Sequence, residues 1–208
     1  MVQAIFWDFD GVIINSMAVR DKGFIEVLKK YDDKVGLLLE FHRKNGGLSR
    51  YVKFSYFFEE VLSDPSYGGK NLQFYTDQFS FIMKKLLTDK RLLIEDTLDF
   101  IKRCDADSIP MHIVSGSDGD ELRYLCKKLE INHYFLSVDG SPTPKAELLG
   151  NLLTKYSYTP ERCVLIGDSV NDYDAARING VRFSGYNNDE LRVLGSYIES
   201  FSKSTTDI

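Results

Sequence analysis

Several short runs of apolar residues each end abruptly in acidic, serine or glycine residues. Residues 2–7 run up to Asp8, 111–114 to Ser115-Gly116-Ser117, and 134–138 to Asp139-Gly140; 163–166 run up to Gly167-Asp168-Ser169 and 181–183 to Ser184-Gly185. Such runs read as strands buried on both faces that deliver loops at their ends. Between them the apolar residues fall at helical spacing. Leu122, Leu125, Cys126 and Leu129 mark a helix over 121–129, and Leu148, Leu149, Leu152 and Leu153 one over 146–156. A further helix over 98–103 runs into the second strand. This alternation predicts an α/β fold, a Rossmann-like parallel sheet covered by helices on both faces.

Residues 16–91 break the rhythm. Their pattern predicts helices over 19–31, 34–43, 51–62 and 72–87, separated by Asn45-Gly46-Gly47 and by the turn-forming residues 64–69. The expected organisation is a core of residues 1–15 and 92–208 with an inserted all-helical cap over 16–91. Tyr51, Phe54, Tyr56, Phe57, Phe58, Phe74, Tyr75, Phe79 and Phe81 cluster there and are expected to form the interior of that bundle. The polar tail from Ser200 is expected to fray.

Composition narrows the class. The 208 residues carry 26 Lys plus Arg against 31 Asp plus Glu, a net charge of -5, and 43% are hydrophobic. That is enough chain for a core without staples, and the acidic balance disfavours a nucleic-acid or membrane-surface partner. No apolar run approaches the roughly 18 residues of a membrane span. The N-terminus lacks the basic region and cleavage site of a signal peptide, so the expected location is cytoplasmic. Cys104, Cys126 and Cys163 are odd in number and widely spaced, and are expected to be small buried hydrophobes. His42, His112 and His133 have no metal-ligand spacing and are expected to be packed or at the surface.

The chemistry concentrates at the strand ends, where parallel sheets bind ligands. Those ends carry Asp8 and Asp10, Ser115 and Gly116, and Asp168 with Asp172, while Lys145 opens a helix after the third strand. Carboxylates suit a hard cation, and a hydroxyl, free amides and an ammonium suit an anion. A carboxylate at Asp8 is placed to attack phosphorus and form an acyl phosphate. Asp10, two residues on, is placed to give a proton to the leaving oxygen and later take one from water. Gly11 lets the backbone approach and presents amides to phosphate oxygens. Each motif alone also has a plain structural reading: Asp8 to Gly11 as a turn, Ser117 with Asp120 as a capping box, 167–172 as a helix cap, Lys145 as a solvated lysine. Their order at successive strand ends favours one shared site.

The combination of DFDGV (8–12), HIVSGS (112–117), Lys145 and GDSVND (167–172), followed by DAARINGV (174–181), resembles the haloacid dehalogenase superfamily of phosphohydrolases. The insert after the first motif resembles the helical cap of the phosphoglycolate phosphatase and β-phosphoglucomutase branch. The resemblance implies magnesium as cofactor and a small phosphate ester as substrate, a sugar phosphate or a phosphoglycolate-like metabolite. It implies Asp8 as nucleophile, Asp10 as acid and base with its carbonyl on the metal, Asp168 and Asp172 at the metal, and Gly11, Ser115, Gly116 and Lys145 around the phosphate. The dehalogenase members lack the second aspartate, so Asp10 disfavours that activity. The phosphonatase members use a cap lysine; Lys22, Lys44 and Lys53 lie in the cap region, but the first motif does not fit that class. A sugar phosphomutase, or a silent binding module on the same fold, stays open. In the cap, the turn carrying Arg43, Asn45, Gly47 and Arg50 is the expected determinant of specificity, with a solvated helix corner as its plain reading.

Overall fold

Strand β1 (Ala4–Trp7) sits inside a six-stranded, wholly parallel sheet whose other members are β2 (Met111–Asp118), β3 (Ser137–Ser141), β4 (Cys163–Gly167), β5 (Arg182–Tyr186) and β6 (Ser196–Ile198). The coordinates are a computed structural model and describe residues 2–63 and 70–203. The strand order is β3-β2-β1-β4-β5-β6, so the direction of winding reverses beside β1. Ligands of such sheets bind at that reversal, outside the carboxyl ends of the strands. Every residue of β1 is buried because both faces are covered. Ile5 and Trp7 pack with Phe100, Ile113 and Ile166, while Ala4 and Phe6 pack with Leu149, Leu165 and Phe183, as the period of two requires.

Four helices follow β1: α1 (Met17–Val27), α2 (Asp32–Lys44), α3 (Arg50–Tyr56) and α4 (Lys70–Leu86). They pack on one another and reach the sheet end through α3 against β2 and α4 against α6. The layers of the sheet are completed by α5 (Glu95–Ala106), α6 (Gly119–Lys128), α7 (Lys145–Tyr156) and α8 (Val170–Ile178). No helix of the described residues is long and apolar enough to cross a membrane. The three cysteines are free and buried.

Several expectations need correction. The third strand begins at Ser137 rather than at residue 134, because Asn132–Tyr134 closes a 3-10 turn first. The three-residue β6 was too short to register as a run of its own. The helix expected over 51–62 leaves α geometry at Tyr56 and continues as a π-helical turn, Phe57–Val61, with the adjacent Phe57 and Phe58 both buried. Phe54, Phe57, Phe58, Tyr75 and Phe79 form the expected interior, but Phe74 and Phe81 are exposed. They fall off the stripe by which Tyr75, Phe79 and Met83 bury α4. Tyr56 stacks on Phe41 instead, and Tyr51 donates to Asp118. Of the tail expected to fray from Ser200, residues 204–208 lie outside the described residues, and residues 200–203 start it packed. Phe201 is fully buried against Trp7, Phe100 and Tyr186, and its amide and the Ser200 hydroxyl both donate to Asp96. The turn expected at 64–69 lies outside the described residues.

Candidate active site

The end of β1 delivers Asp8 and the end of β4 delivers Asp168. Asp172 is fixed in the first turn of α8 by a reciprocal capping box with Ser169. One oxygen from each of these three carboxylates lies within 4.8 Å of the others. Lys145, the first residue of α7, enters the cluster with its Nζ 2.9 Å from Asp8 Oδ1 and bonded also to Asp172. Gly11 has φ +75, and a Cβ there would stand 1.9 Å from Asp168 Oδ2, so backbone and carboxylate meet where no side chain fits.

Three carboxylates share one ammonium in a buried place, and their proton affinities show the strain. Burial, then Asp172, push Asp8 up to about 7 despite Lys145. Burial, then Asp8 and Asp172, raise Asp168 well above the ordinary range. For Lys145 burial opposes the charge, but Asp172 and Asp8 outweigh it and keep it firmly protonated. An all-oxygen donor set with this surplus of negative charge fits a hard divalent cation.

Beside the cluster lie the buried Ser115, whose hydroxyl oxygen accepts from the Ser117 amide at 3.1 Å, and Gly116 next to it in β2. The capping box expected of Ser117 and Asp120 does not form. The strand runs on to Asp118, which caps α6 by accepting from Glu121 N–H. This frees the Ser117 hydroxyl to donate to Asp10 Oδ2 at 2.6 Å.

Asp10 is held from the helical segment after β1 as well. It accepts from Ser16 Oγ and, at 2.7 Å, from Arg20 Nε. Burial alone would raise its pKa, but the Arg20 guanidinium and the bonds from Arg20, Ser117 and Ser16 hold it down at about 2. Arg20 continues to Glu121, fully buried on α6, at 3.2 Å. Glu121 also pairs with Arg50 at 2.8 Å, so one carboxylate of the core takes two arginines of the helical segment. Lys53 lies alongside, its Nζ donating to the Gly46 carbonyl at 2.9 Å. Asp8, Asp10, Arg20, Arg50, Lys53 and His42 line one narrow cavity of about 20 Å³, closed by Phe24 and Phe79. That is room for about one water. A larger cavity of about 150 Å³ adjoins Lys145, between the 47–49 loop and residues 141–144.

The four residues expected to set specificity separate. Gly47 and Arg50 line the cavity. Arg43 is exposed and pairs with Asp21, and the Asn45 side chain turns back to the Phe41 carbonyl at the end of α2. Gly47 instead meets the core directly: its carbonyl accepts from Asn171 at 3.0 Å. His42 is buried and neutral, its pKa taken down to about 2 by burial and by Lys53, and His112 is a packed residue bonded to Ser137 and Tyr158. Arg20, Glu121 and Lys53 were not among the expected site residues. The available signal was positional: Arg20 shares the buried stripe of Gly23 and Phe24, and Glu121 that of Leu122 and Leu125.

A family model for haloacid dehalogenase-like hydrolases matches residues 5–186. No curated protein matches the sequence. Among solved structures, a β-phosphoglucomutase from Clostridium difficile superposes with a TM-score of 0.81 at 15% identity, over 99% of this chain and 94% of its own. CbbY from Rhodobacter sphaeroides, solved with xylulose-(1,5)bisphosphate, gives 0.78 at 16%, over 98% and 96%. A predicted phosphoglycolate phosphatase from Haemophilus somnus gives 0.72 at 17%, over 94% and 87%. At these identities the likeness is one of fold.

Proposed function

The chain belongs to the haloacid dehalogenase-like hydrolases, and from that premise we propose that it is a magnesium-dependent phosphomonoester hydrolase acting through an aspartyl-phosphate at Asp8. The observation that carries this reading is the convergence of the buried Asp8, Asp172 and Lys145 with the half-buried Asp168 beside Ser115 and Gly116. Residues 16–91 act as the cap over it.

Ser115 Oγ, the Gly116 amide and Lys145 Nζ hold the phosphoryl oxygens. An Asp8 oxygen attacks phosphorus as the bond to the leaving oxygen breaks, and Asp10 gives that oxygen a proton. Water then attacks the aspartyl-phosphate, Asp10 takes the proton, the bond between phosphorus and Asp8 breaks, and orthophosphate leaves. A carboxylate gripped by a guanidinium has no proton to give. The first step therefore requires Asp10 to leave Arg20, which outward movement of the cap helices permits. Asp8, Asp168, Asp172 and the Asp10 carbonyl are the residues that would hold magnesium, which when bound supplies charge neutralisation at the phosphate. Lys145 repeats part of that role from the protein itself.

The test is release of orthophosphate from a panel of small phosphate esters, including p-nitrophenyl phosphate, with magnesium and with chelator. Magnesium-dependent release is expected. Rearranged ester with little free phosphate identifies the mutase, and binding without turnover identifies a silent module.

A further inference from the structure

The end of β3 and the start of α7 bring together donors that the reaction at Asp8 does not use. Ser141 closes β3, and its hydroxyl, on a residue just 4% exposed, has no hydrogen-bond partner among the described residues. A buried hydroxyl without a partner is costly, and it calls for a ligand or a water at its side. Pro142 and Pro144, which have no N–H and fix their own φ, lead from it into α7. The first backbone bond of α7 runs from the Leu148 amide to the Pro144 carbonyl, and no side chain caps the helix. The amides of Lys145, Ala146 and Glu147 therefore stand ahead of the hydrogen-bond ladder, at the positive end of a 12-residue helix. This end opens on the cavity of about 150 Å³, which Ser141, Thr143, Pro144 and Lys145 line on one side and Gly47 and Leu48 on the other. That is room for several waters, and so for one tetrahedral oxyanion. No carboxylate lines this chamber among the described residues, and the Lys145 ammonium is already engaged by Asp8 and Asp172. What the chamber offers is hydroxyls and amides.

We propose that this chamber is a waiting site for orthophosphate, bound by Ser141 Oγ and the first-turn amides of α7 after the ion has left Asp8. This rests on the phosphatase reading, which supplies the orthophosphate. Free amides at a helix start and a buried hydroxyl suit an oxyanion, and bonds to an ionised acceptor are the strong ones. Gly116 borders this chamber and the cavity beside Asp8 alike, and Lys145 reaches from the chamber to Asp8. The ion therefore passes from one place to the other by a short shift that exchanges one set of donors for another. No bond to phosphorus forms or breaks in that shift. It takes the dianion away from the Asp8 carboxylate that hydrolysis has just regenerated, which relieves the repulsion of like charges. The two products then leave Asp8 on different sides, the alcohol past Asp10 and the orthophosphate past Lys145.

The test reads binding residue by residue, so that it does not depend on turnover. Inorganic phosphate is titrated into the nitrogen-15-labelled protein with magnesium, and the amide resonances are followed. Ala146 and Glu147 report the chamber; Phe9 and Asp10, which do not line it, report the place beside Asp8. Ala146 and Glu147 are expected to shift along a saturation curve whose midpoint differs from that of Phe9 and Asp10. In Ser141→Ala, checked for fold by circular dichroism, the midpoint at Ala146 and Glu147 is expected to rise at least about threefold, the order of one lost hydrogen bond to an anion. The midpoint at Phe9 and Asp10 is expected to stay. No saturable shift at Ala146 and Glu147 overturns the proposal, as does a single curve shared by all four amides. So does a midpoint in Ser141→Ala that rises less than about threefold. Hydrolysis of phosphate esters by the wild-type protein is scored separately: no hydrolysis with the response in α7 retained sinks the phosphatase reading and leaves an anion site at α7 standing.

Discussion

Gly116 of the core and Gly47 of the helical segment touch backbone to backbone: a Cβ at Gly116 would stand 2.1 Å from the Gly47 carbonyl oxygen. No rotamer relieves such a clash, because the obstacle is main chain. Gly116→Ala is therefore expected to keep the fold yet hold the two parts apart, lowering kcat/KM at least about tenfold, or ~1.4 kcal/mol in the barrier. Steady-state kinetics on a small aryl phosphate check this. Wild-type kcat/KM in a folded variant removes the contact from the reaction.

Asp8→Asn keeps the shape of the side chain and removes the anionic oxygen. Turnover is expected to fall below about a tenth of wild type, and mass spectrometry of acid-quenched protein should show no phosphoryl adduct. An adduct that persists in the variant places the nucleophile elsewhere.

Magnesium binding to the folded state should raise thermal stability by mass action, about 2.7 kcal/mol at a hundredfold excess over Kd. The effect should vanish in Asp168→Ala, whose carboxylate is one of the three in the cluster. Scanning calorimetry with magnesium and with chelator checks both, and an undiminished response in Asp168→Ala moves the metal away from this cluster.

The strand-end residues were legible because their placement is local. An apolar run that stops at Asp8 or Asp168 puts that side chain at the sheet edge whatever else the chain does. Arg20 and Glu121 were not, because a charged residue in a helix is by default solvated, and their pairing depends on two elements 101 residues apart in sequence. Arg43 and Arg50 show the same limit. Seven residues apart across one turn, they look alike in the sequence, yet one points to solvent and the other into the cavity. The plug made by Phe201 was hidden by the polar residues around it.

His42 is buried with its pKa lowered from 6.5 to about 2, first by burial and then by Lys53 and Arg20. Above pH 6.5 both folded and unfolded forms are neutral there. Below it the unfolded chain gains a proton that the folded one refuses, so stability falls with pH by up to about 1.4 kcal/mol per unit from this group. Denaturation of wild type and His42→Gln at pH 7, 6, 5 and 4 should show their stability difference changing at about that slope. A constant difference contradicts a neutral, buried His42.

Gly36 lies in the exposed interior of α2, with nothing within 4 Å of the position a Cβ would take. Gly36→Ala should stabilise the protein by roughly 0.5–1 kcal/mol. Urea denaturation reads the change, and a loss of stability would mean that this turn of helix is not formed.

The double pairing of Glu121 also sets a tempo. When the helical segment moves outward, Arg20 and Arg50 both leave Glu121, and each departing guanidinium must be rehydrated. Separation is then an activated event rather than a free swing, and the assembled chamber has a dwell time set by a buried ion pair. On the proposed reaction, each turnover would pass through that event twice, once to admit the ester and once to let products go. Glu121→Gln weakens the pair while preserving its shape. Exchange should therefore quicken in that variant even where the phosphoryl chemistry slows, and stopped-flow measurement of phosphate release against adduct formation separates the two rates.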